Sequence, residues 1–317
     1  MTANDVSARI KSANRVAIFG HMHPDLDSFG AVLGAKFLCD SLGVKCDVFA
    51  EFMKNLSFLR IFPETYFKHD FDKRKYDLVL IVDCNEISRI DKKFQPDVSE
   101  KKILFIDHHE LNNVLEGADY YVYPKKCSAS LVVFELLEKL NLKLSAEYAT
   151  YIFAGVVGDT NRFLHTNTDA SVFSTASKLL KLGADCQKVY DVVYRSMTMS
   201  NVRLRDYLFS NLKASGKVCY VAISQKDLEK LSSNVEDVKM FVSDINQLVE
   251  FSVAMIAYEI SENKFKVSLR SKNGVDLLKV AFKYGGGGHK DASGFRILGN
   301  KSQVLKKLAL ISKEFEC

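Results

Sequence analysis

Residues 15–33 read RVAIFGHMHPDLDSFGAVL: an apolar run, a polar turn and then the start of an amphipathic pattern. The run RVAIFG at 15–20 predicts a buried strand, because it is short, continuous and apolar and ends at polar residues. A helical pattern follows over 28–42. A strand that passes through a short turn into a helix is the building unit of a parallel sheet, and this stretch therefore predicts one.

The same alternation of strands and helices continues through the first part of the chain. Further runs that predict buried strands lie at 44–50, 77–83 and 102–107. Further helical patterns lie at 128–140, 146–157 and 169–182. This order predicts an α/β fold with a mainly parallel sheet and helices on both faces. Ligands of such sheets gather at the carboxyl ends of the strands.

A second, smaller domain is predicted after a connector that is helical in pattern and rich in Arg and Tyr. In it, FSVAMIAYEI (251–260) and KFKVSLRS (264–271) predict a hairpin that turns at Glu262 and Asn263. Helical patterns before the hairpin and at the end of the chain make this domain α+β. The predicted boundaries are 1–186 for the first domain, 187–213 for the connector and 214–317 for the second domain.

The composition is that of an ordinary globular protein, with 47% hydrophobic and 26% charged residues among 317. No apolar run approaches the length of a membrane span, and the start of the chain has no apolar signal core, so we predict a cytoplasmic protein. The seven cysteines are scattered without the CxxC spacing of a zinc site, which favours reduced thiols. The net charge of +5 tolerates polyanionic ligands without requiring them.

The turn after the first predicted strand concentrates ionisable side chains. His21, Asp25 and Asp27 lie within seven residues of one another. Carboxylates and imidazoles packed this closely repel one another or lose solvation unless a cation compensates them, and a divalent metal ion is the natural candidate. Taken alone, the turn has an equally good explanation, because Asp27 and Ser28 can cap the next helix.

Other acids and histidines favour the metal explanation. Asp83 ends one very apolar strand, and Asp107, His108 and His109 end another. Strand ends of one parallel sheet meet at the same edge, and so many acids and histidines there are hard to explain as helix caps. Asp159 follows an apolar helical run in a glycine-flanked position that can approach a crowded site.

These residues resemble the motifs of a known family. H-x-x-P-D-x-D at 21–27, the Asp83 of IVDCN, the triplet at 107–109 and the GDT around Asp159 are similar to the four motifs of the DHH phosphoesterases. SLRS at 268–271 and GGGGHKDASGF at 285–295 resemble the substrate-binding signature of the DHHA1 domain. The resemblance spans nearly the whole chain, and its motifs occur in the right order.

The resemblance implies a two-metal centre with Asp83 bridging the two ions. One ion would be held by His21, Asp25 and Asp83, and the other by Asp27, His108 and Asp159. Oxygen-rich sites with one imidazole per ion suit Mn²⁺ best, while Mg²⁺ and Co²⁺ remain alternatives. Asp107 would orient a histidine, and His109 would bind a phosphoryl oxygen or protonate the leaving oxygen.

The second domain is expected to hold the substrate. Arg270 offers a bidentate fork to a phosphate, and Ser271 adds a donor. The glycine run predicts a nest of inward-pointing N–H groups that binds an anion. The expected substrate-binding residues are Arg270, Ser271, Gly286, Gly287, Gly288 and His289.

Two positions depart from the family pattern. Leu26 replaces the usual glycine between the first two aspartates, which constrains the backbone of the turn but leaves both carboxylates in place. Asn161 replaces the glycine that commonly follows GDT, and Asn tolerates left-handed backbone better than most residues. Both departures leave the expected metal ligands in place.

The resemblance implies a phosphodiesterase that hydrolyses short oligonucleotides or dinucleotides to mononucleotides and acts on 3′-phosphoadenosine 5′-phosphate. A soluble cyclic-dinucleotide phosphodiesterase is the alternative, and a catalytically silent nucleotide-binding protein is a third hypothesis. No membrane partner is expected, and a homodimer is compatible with the sequence. The sequence does not rank these substrates, because all of them present phosphate to the same metals.

Overall fold

The computed structural model describes residues 1–50, 57–111, 113–288 and 290–315. The chain divides into two compact units, Met1–Ser196 and Met197–Cys317, called unit 1 and unit 2 here. The division falls within the stretch predicted to be a connector. Among the described residues, no helix combines the length and the apolar character needed to cross a bilayer.

Unit 1 is built on a sheet of six parallel strands in the order β3-β2-β1-β4-β5-β6. Its strands are β1 (Arg15–Phe19), β2 (Lys45–Phe49), β3 (Phe67–Lys68), β4 (Leu78–Val82), β5 (Lys102–Asp107) and β6 (Asp119–Val122). Its helices are α1 (Ala3–Lys11), α2 (Leu26–Ser41), α3 (Gln95–Val98), α4 (Ala129–Lys139), α5 (Ala146–Asp159), α6 (Ala170–Lys181) and α7 (Cys186–Val193). The predicted α/β class is confirmed.

The central strands of unit 1 are those that the apolar runs predicted. β1, β4 and β5 lie side by side in the middle of the sheet, and every residue of β4 is buried. A strand with both faces covered needs apolar side chains at every position, which explains the continuous run LVLIV. The short outer strands β3 and β6 carry no comparable signal and were not predicted.

The two faces of this sheet are covered differently. Helices α2, α4 and α5 pack together on one face, where α2 approaches α5 closely. Gly30 permits this approach, because a Cβ there would lie 2.5 Å from the carbonyl oxygen of Tyr151. Among the described residues, the other face carries an aromatic cluster and the short helix α3. The long helices therefore lie on one side of the sheet. Two of them, α2 and α5, carry Asp27 and Asp159 at the ends that lie near the carboxyl edge of the sheet.

Unit 2 contains a second six-stranded sheet, in the order β11-β12-β10-β9-β8-β7, in which only β8 and β9 pair in parallel. Its strands are β7 (Lys213–Ser215), β8 (Val218–Ile223), β9 (Val253–Ser261), β10 (Lys264–Ser271), β11 (Gly287–Gly288) and β12 (Ala292–Leu298). Its helices are α8 (Met199–Ser210), α9 (Gln225–Lys230), α10 (Val235–Met240), α11 (Val242–Ile245), α12 (Leu278–Lys283) and α13 (Lys301–Ser312). The predicted hairpin is confirmed, and Asn263 in its turn has a left-handed φ of 55°.

The sheet of unit 2 has one fully covered face and one that is covered in part. Helices α12 and α13 pack on the first face with Phe265, Val267 and Leu269 of β10. On the second face, α8 to α11 cover β8 and β9 through a separate apolar cluster. That cluster does not include residues of β10 or β12. Polar side chains of these two strands are consequently exposed on this face.

Candidate active site

The predicted metal ligands of unit 1 come together at the carboxyl edge of its parallel sheet. His21 follows β1, Asp83 follows β4, and His108 follows β5. The other three acids come from the first turn of α2 and the last residue of α5. The structure places the six residues in two groups, His21 with Asp25 and Asp83, and Asp27 with His108 and Asp159. A third group overlaps both and joins Asp83 and His108 to Asp107 and His109. Within each group the candidate ligand atoms lie within 4.8 Å of one another.

Both acids of the first turn act as helix caps while pointing toward this cluster. Asp25 caps α2, accepting hydrogen bonds from the N–H groups of Asp27 and Ser28 at 3.0 Å each. Asp27 accepts from the N–H groups of Ala129 and Ser130, at the start of α4, at 2.6 and 2.9 Å. Each carboxylate oxygen has two lone pairs, so capping leaves capacity for a metal ion. Asp25 and Asp27 can therefore cap helices and bind a metal ion at the same time.

The two candidate histidine ligands are oriented by backbone carbonyls. Nδ1 of His21 lies 2.8 Å from the carbonyl oxygen of Met22, and Nδ1 of His108 lies 3.2 Å from that of Lys126. A carbonyl oxygen only accepts, so Nδ1 is the donor in each contact, and Nε2 is the ring nitrogen left for a metal ion. Nε2 of His21 lies 3.2 Å from Asp83 Oδ2. Both rings thus turn Nε2 toward the acids.

Asp83 occupies the centre of the cluster. Its Oδ2 faces His21, while its Oδ1 lies 3.6 Å from Nε2 of His108, so one carboxylate reaches both groups. Its backbone has a φ of 62°, which is unfavourable for a residue with a side chain, and its N–H donates to the carbonyl oxygen of Ile106. Strained backbone of this kind persists where the surrounding structure enforces it, commonly at functional sites.

The buried carboxyl groups of the cluster repel one another when they are ionised, and a bound cation would offset this repulsion. Burial, followed by the charges of neighbouring carboxylates, raises the pKa of Asp83 well above its usual range and that of Asp159 to about 10. Burial is also the largest cause of the raised pKa of Asp27. In addition, Oδ2 of fully buried Asp107 has no hydrogen-bond partner among the described residues. Oxygen-rich groups with one imidazole each fit a divalent ion, which would offset this repulsion.

The raised pKa of Asp159 predicts how pH acts on the metal-free protein. Between the ordinary Asp value of 3.8 and about 10, the unfolded chain has released this proton while the folded chain retains it. Each upward step in pH within that window therefore favours unfolding. We expect the unfolding temperature in the presence of a chelator to fall from about pH 6 to about pH 9, as measured by scanning calorimetry.

Metal ions should reverse this trend, because they compete with protons for the same oxygens. We expect saturating Mn²⁺ to raise the unfolding temperature more at pH 8 than at pH 6. Asp159→Asn should flatten the pH dependence, whereas Asp70→Asn, at an exposed position, should leave it unchanged. A Mn²⁺-induced shift that shrinks as the pH rises would contradict the assignment of these acids as ligands.

Asp107 and His109 form a pair beside the cluster. Oδ1 of Asp107 lies 2.8 Å from Nδ1 of His109 and also accepts from the N–H of His108 at 2.7 Å. The carboxylate of Asp107 accepts from Nδ1–H of His109, so Nε2 of His109 does not contact this carboxylate. The imidazole is 44% exposed, in contrast to the largely buried ring of His108. His109 is thus the histidine of the triplet that a bound molecule can reach.

The turn after Asp159 adopts the left-handed backbone that its sequence allows. Asn161, Arg162 and Phe163 have φ values of 44°, 64° and 66°. The buried hydroxyl of Thr160 holds this turn by accepting from the N–H of Phe163 at 3.2 Å. The guanidinium of Arg162 lies over the ring of Tyr194, 4.6 Å from its centroid. Asn161 therefore fulfils the conformational role of glycine, and Arg162 packs on an aromatic ring of the same unit.

Unit 2 contains a cavity of about 540 Å³ on the partly covered face of its sheet. It is lined by Lys266, Ser268, Arg270, Tyr284, Gly285, Gly286, Gly287, Ala292, Ser293, Gly294, Phe295 and Arg296. Arg270 donates to the carbonyl oxygen of Leu269. Burial lowers the pKa of its guanidinium, an effect that the charge of Asp291 offsets in part. A half-buried cation in a cavity is in a favourable position to bind an anion.

Ser271, one of the predicted substrate residues, is placed differently from the expectation. The Ser271 hydroxyl donates to the carbonyl oxygen of Val275 at 2.6 Å, and Ser271 is not among the residues that line the cavity. Side chains alternate along a strand, so Ser271 points away from the face that carries Arg270. His289 lies outside the described residues.

The glycine run has structural roles that the predicted nest did not include. The N–H groups of Gly285 and Gly286 donate to carbonyl oxygens of α12 and so end that helix, with Gly285 at a φ of 69°. Gly287 and Gly288 pair with β12 as the short strand β11. The expectation that successive N–H groups all point inward to an anion is therefore wrong for Gly285 and Gly286. Gly286 and Gly287 nevertheless line the cavity.

Sequence reasoning did not name several polar residues that line the cavity, among them Lys266, Ser268 and Arg296. The signal was present in KFKVSLRS, because residues 266, 268 and 270 of one strand share a face. Arg296 lies in a strand that the sequence did not predict.

Comparisons with known proteins agree with both units. Residues 15–156 match the DHH family, N-terminal domain, and residues 215–315 match the DHHA1 domain. The probable bifunctional oligoribonuclease and PAP phosphatase NrnA of Streptococcus mutans is 32% identical over 302 residues, with 93% of each chain covered. The bifunctional oligoribonuclease and PAP phosphatase NrnA of Mycoplasma genitalium is 28% identical over 302 residues, covering 93% of this chain and 92% of the relative.

A solved structure shows the same fold. The exopolyphosphatase-related protein of Bacteroides fragilis superposes with a TM-score of 0.89 at 23% sequence identity, covering 99% of this chain and 96% of that one. Because the whole chain is covered in one comparison, the fold of both units is that of the neighbour.

Proposed function

This chain belongs to the DHH family of phosphoesterases, and from that premise we propose that it hydrolyses short oligonucleotides and dinucleotides to mononucleotides. The observation that carries the proposal is the pair of ligand groups joined by Asp83 in unit 1. Two neighbouring groups, with one carboxylate of the first lying 3.6 Å from a histidine of the second, fit the arrangement of two-metal hydrolysis. The relatives named as oligoribonucleases and PAP phosphatases support the nucleotide substrate.

The proposed metal ligands are His21, Asp25 and Asp83 for one ion and Asp27, His108 and Asp159 for the other. When bound, two such ions lower the pKa of a shared water and supply hydroxide to phosphorus. We propose Mn²⁺ for both positions, since each group offers carboxylate oxygens and one imidazole and no thiolate. Hydrogen bonds hold these ligands in place before an ion binds. Asp25 and Asp27 accept from backbone N–H groups, and Nδ1 of His21 and of His108 contacts a backbone carbonyl oxygen.

His109 is the proposed proton donor to the leaving oxygen. Its ring is exposed, and Asp107 fixes Nδ1 as the protonated nitrogen in its contact, so Nε2 points away from that carboxylate. A histidine held in this way can transfer a proton at Nε2 without reorienting. Asp107 is a positioning residue in this proposal, because it touches His109 and the backbone of His108.

Unit 2 is proposed to bind the nucleotide. Arg270 places a planar guanidinium in the cavity, where it can grip a phosphate with two parallel hydrogen bonds. Unit 2 also carries the net positive charge of the chain, with 19 Lys and Arg against 13 Asp and Glu in residues 197–317. This excess favours polyanionic substrates by long-range attraction.

A substrate panel tests the function. We expect the purified chain with Mn²⁺ to release mononucleotides from diadenylate and from trinucleotides, and to release phosphate from 3′-phosphoadenosine 5′-phosphate. Hydrolysis of a long single strand should be slower, and a chelator should abolish every reaction. Chromatographic separation of products gives kcat/KM for each substrate.

The same panel distinguishes the alternatives. A cyclic-dinucleotide phosphodiesterase would cleave a cyclic dinucleotide in preference to linear diadenylate. A silent nucleotide-binding protein would bind these nucleotides without turnover at saturating Mn²⁺, Mg²⁺ or Co²⁺. Either result would replace the proposed function.

A further inference from the structure

The cavity of unit 2 contains more positive charge than one phosphate requires. Lys266, Arg270 and Arg296 all line it. Within the residues that the structure describes, none of the three forms an ion pair with a carboxylate, although many other Lys and Arg side chains do. Cations gathered in a cavity without acidic partners are most readily explained by an anionic ligand.

Two of these cations are placed directly opposite each other. Lys266 of β10 pairs with Arg296 of β12 in the antiparallel register, so their side chains leave the same face of the sheet side by side. Like charges in this position destabilise a sheet unless something neutralises them. The neighbour of Lys266 on the other side is Tyr258, a buried aromatic residue that brings no negative charge. A bound anion would remove this repulsion.

The residues between this pair and Arg270 are small. Ser268 pairs with Gly294 across the two strands, midway between the Lys266–Arg296 pair and Arg270. Lys266 and Arg270 are four residues apart on one strand, which is roughly 13 Å at the usual rise per residue. The cavity thus has cationic side chains at both ends, and the small residues Ser268 and Gly294 lie between them. This shape fits an extended molecule with phosphates at separate positions.

We propose that Lys266 and Arg296 form a second phosphate subsite, separate from the phosphate position at Arg270. It follows, on the basis of the proposed function, that the preferred substrate carries at least two phosphate groups. A dinucleotide with a terminal phosphate meets this requirement, whereas a dinucleoside monophosphate does not. The subsite therefore selects for phosphorylated ends.

The test compares three diadenylates that carry a 5′-phosphate, a 3′-phosphate or no terminal phosphate. In the double variant Lys266→Gln/Arg296→Gln, KM for at least one of the phosphorylated forms should rise about tenfold or more, since each charged hydrogen bond contributes strongly to binding. Its kcat should stay within about twofold, and KM for the unphosphorylated form should change little. The matched control is Arg203→Gln/Lys306→Gln, which removes the same charge from exposed positions outside the cavity.

Binding measured without turnover separates this inference from the proposed function. Titration calorimetry with a chelator present should show that the wild type binds a phosphorylated diadenylate more tightly than the unphosphorylated one, and that the Lys266→Gln/Arg296→Gln variant loses this difference. The subsite is refuted if the variant keeps the preference, or if the control loses it equally. If the wild type hydrolyses no diadenylate, the proposed function fails, while the calorimetric comparison still decides the subsite.

Discussion

Asp83→Asn is expected to lower kcat for diadenylate by roughly 10³-fold or more at saturating Mn²⁺. A hydrolytic metal centre contributes several kcal/mol to the reaction, and each 1.36 kcal/mol corresponds to a factor of ten in rate. Asp83 is the one carboxylate that reaches both His21 and His108, so its loss affects both ligand groups. An amide keeps the shape of the side chain but loses the negative charge that would bridge the ions.

The same variant should keep or gain stability when no metal is present. The buried carboxylate of Asp83 has a raised pKa because burial and the neighbouring carboxylates disfavour its charge. Asn is neutral without binding a proton, so the unfolding temperature in chelator should be equal to or higher than that of the wild type. Calorimetry with added Mn²⁺ should then show a smaller rise than in the wild type.

The matched control is Asp70→Asn, an exposed substitution of the same kind in the same unit. It should leave both the rate and the Mn²⁺-induced rise in unfolding temperature unchanged. Wild-type turnover by Asp83→Asn would overturn the two-metal assignment. A large drop in the unfolding temperature of the metal-free variant would instead show that Asp83 acts chiefly in folding.

The arrangement of the unit 1 cluster could be predicted from sequence because strand topology determines it. Apolar runs identified β1, β4 and β5, and parallel strands end at a common edge, so His21, Asp83 and Asp107 had to lie near one another. Hydrogen bonds across the fold could not be predicted. Asp27 accepts from the N–H of Ala129, which is 102 positions away in sequence. Such contacts depend on how α2 and α4 pack, which no local pattern encodes.

The site in unit 2 was predicted less completely, for a physical reason. Whether a glycine N–H faces a ligand or a helix carbonyl depends on the path of the chain, and at Gly285 and Gly286 the end of α12 takes those donors. β11 consists of two glycines, and β12 contains Gly294 and alternates apolar with polar residues instead of forming one continuous apolar run, so both carry weak signals. Arg296 was missed for this reason. Ser271 was chosen over Ser268 although the period of two residues places Ser268 beside Arg270.

His109→Ala is expected to lower kcat for diadenylate by about 10²- to 10³-fold, within the range for a lost general acid. The Mn²⁺ content should not change, because the proposed ligand in the triplet is His108. His69→Ala, which alters an exposed histidine elsewhere in unit 1, should keep wild-type kcat. Metal analysis by mass spectrometry and product release by chromatography measure the two quantities.

A change of leaving group separates the two roles open to His109. A p-nitrophenyl ester of a nucleotide expels an anion that needs no proton, so the loss caused by His109→Ala should shrink to less than about tenfold if the residue is the proton donor. If His109 instead binds a phosphoryl oxygen, the loss should be the same for both substrates, because that oxygen is present in each. Asp107→Asn should show the same dependence on the leaving group in weaker form, since its 2.8 Å contact with Nδ1 directs Nε2 toward the substrate. Equal losses with both substrates would reassign His109 to phosphoryl binding.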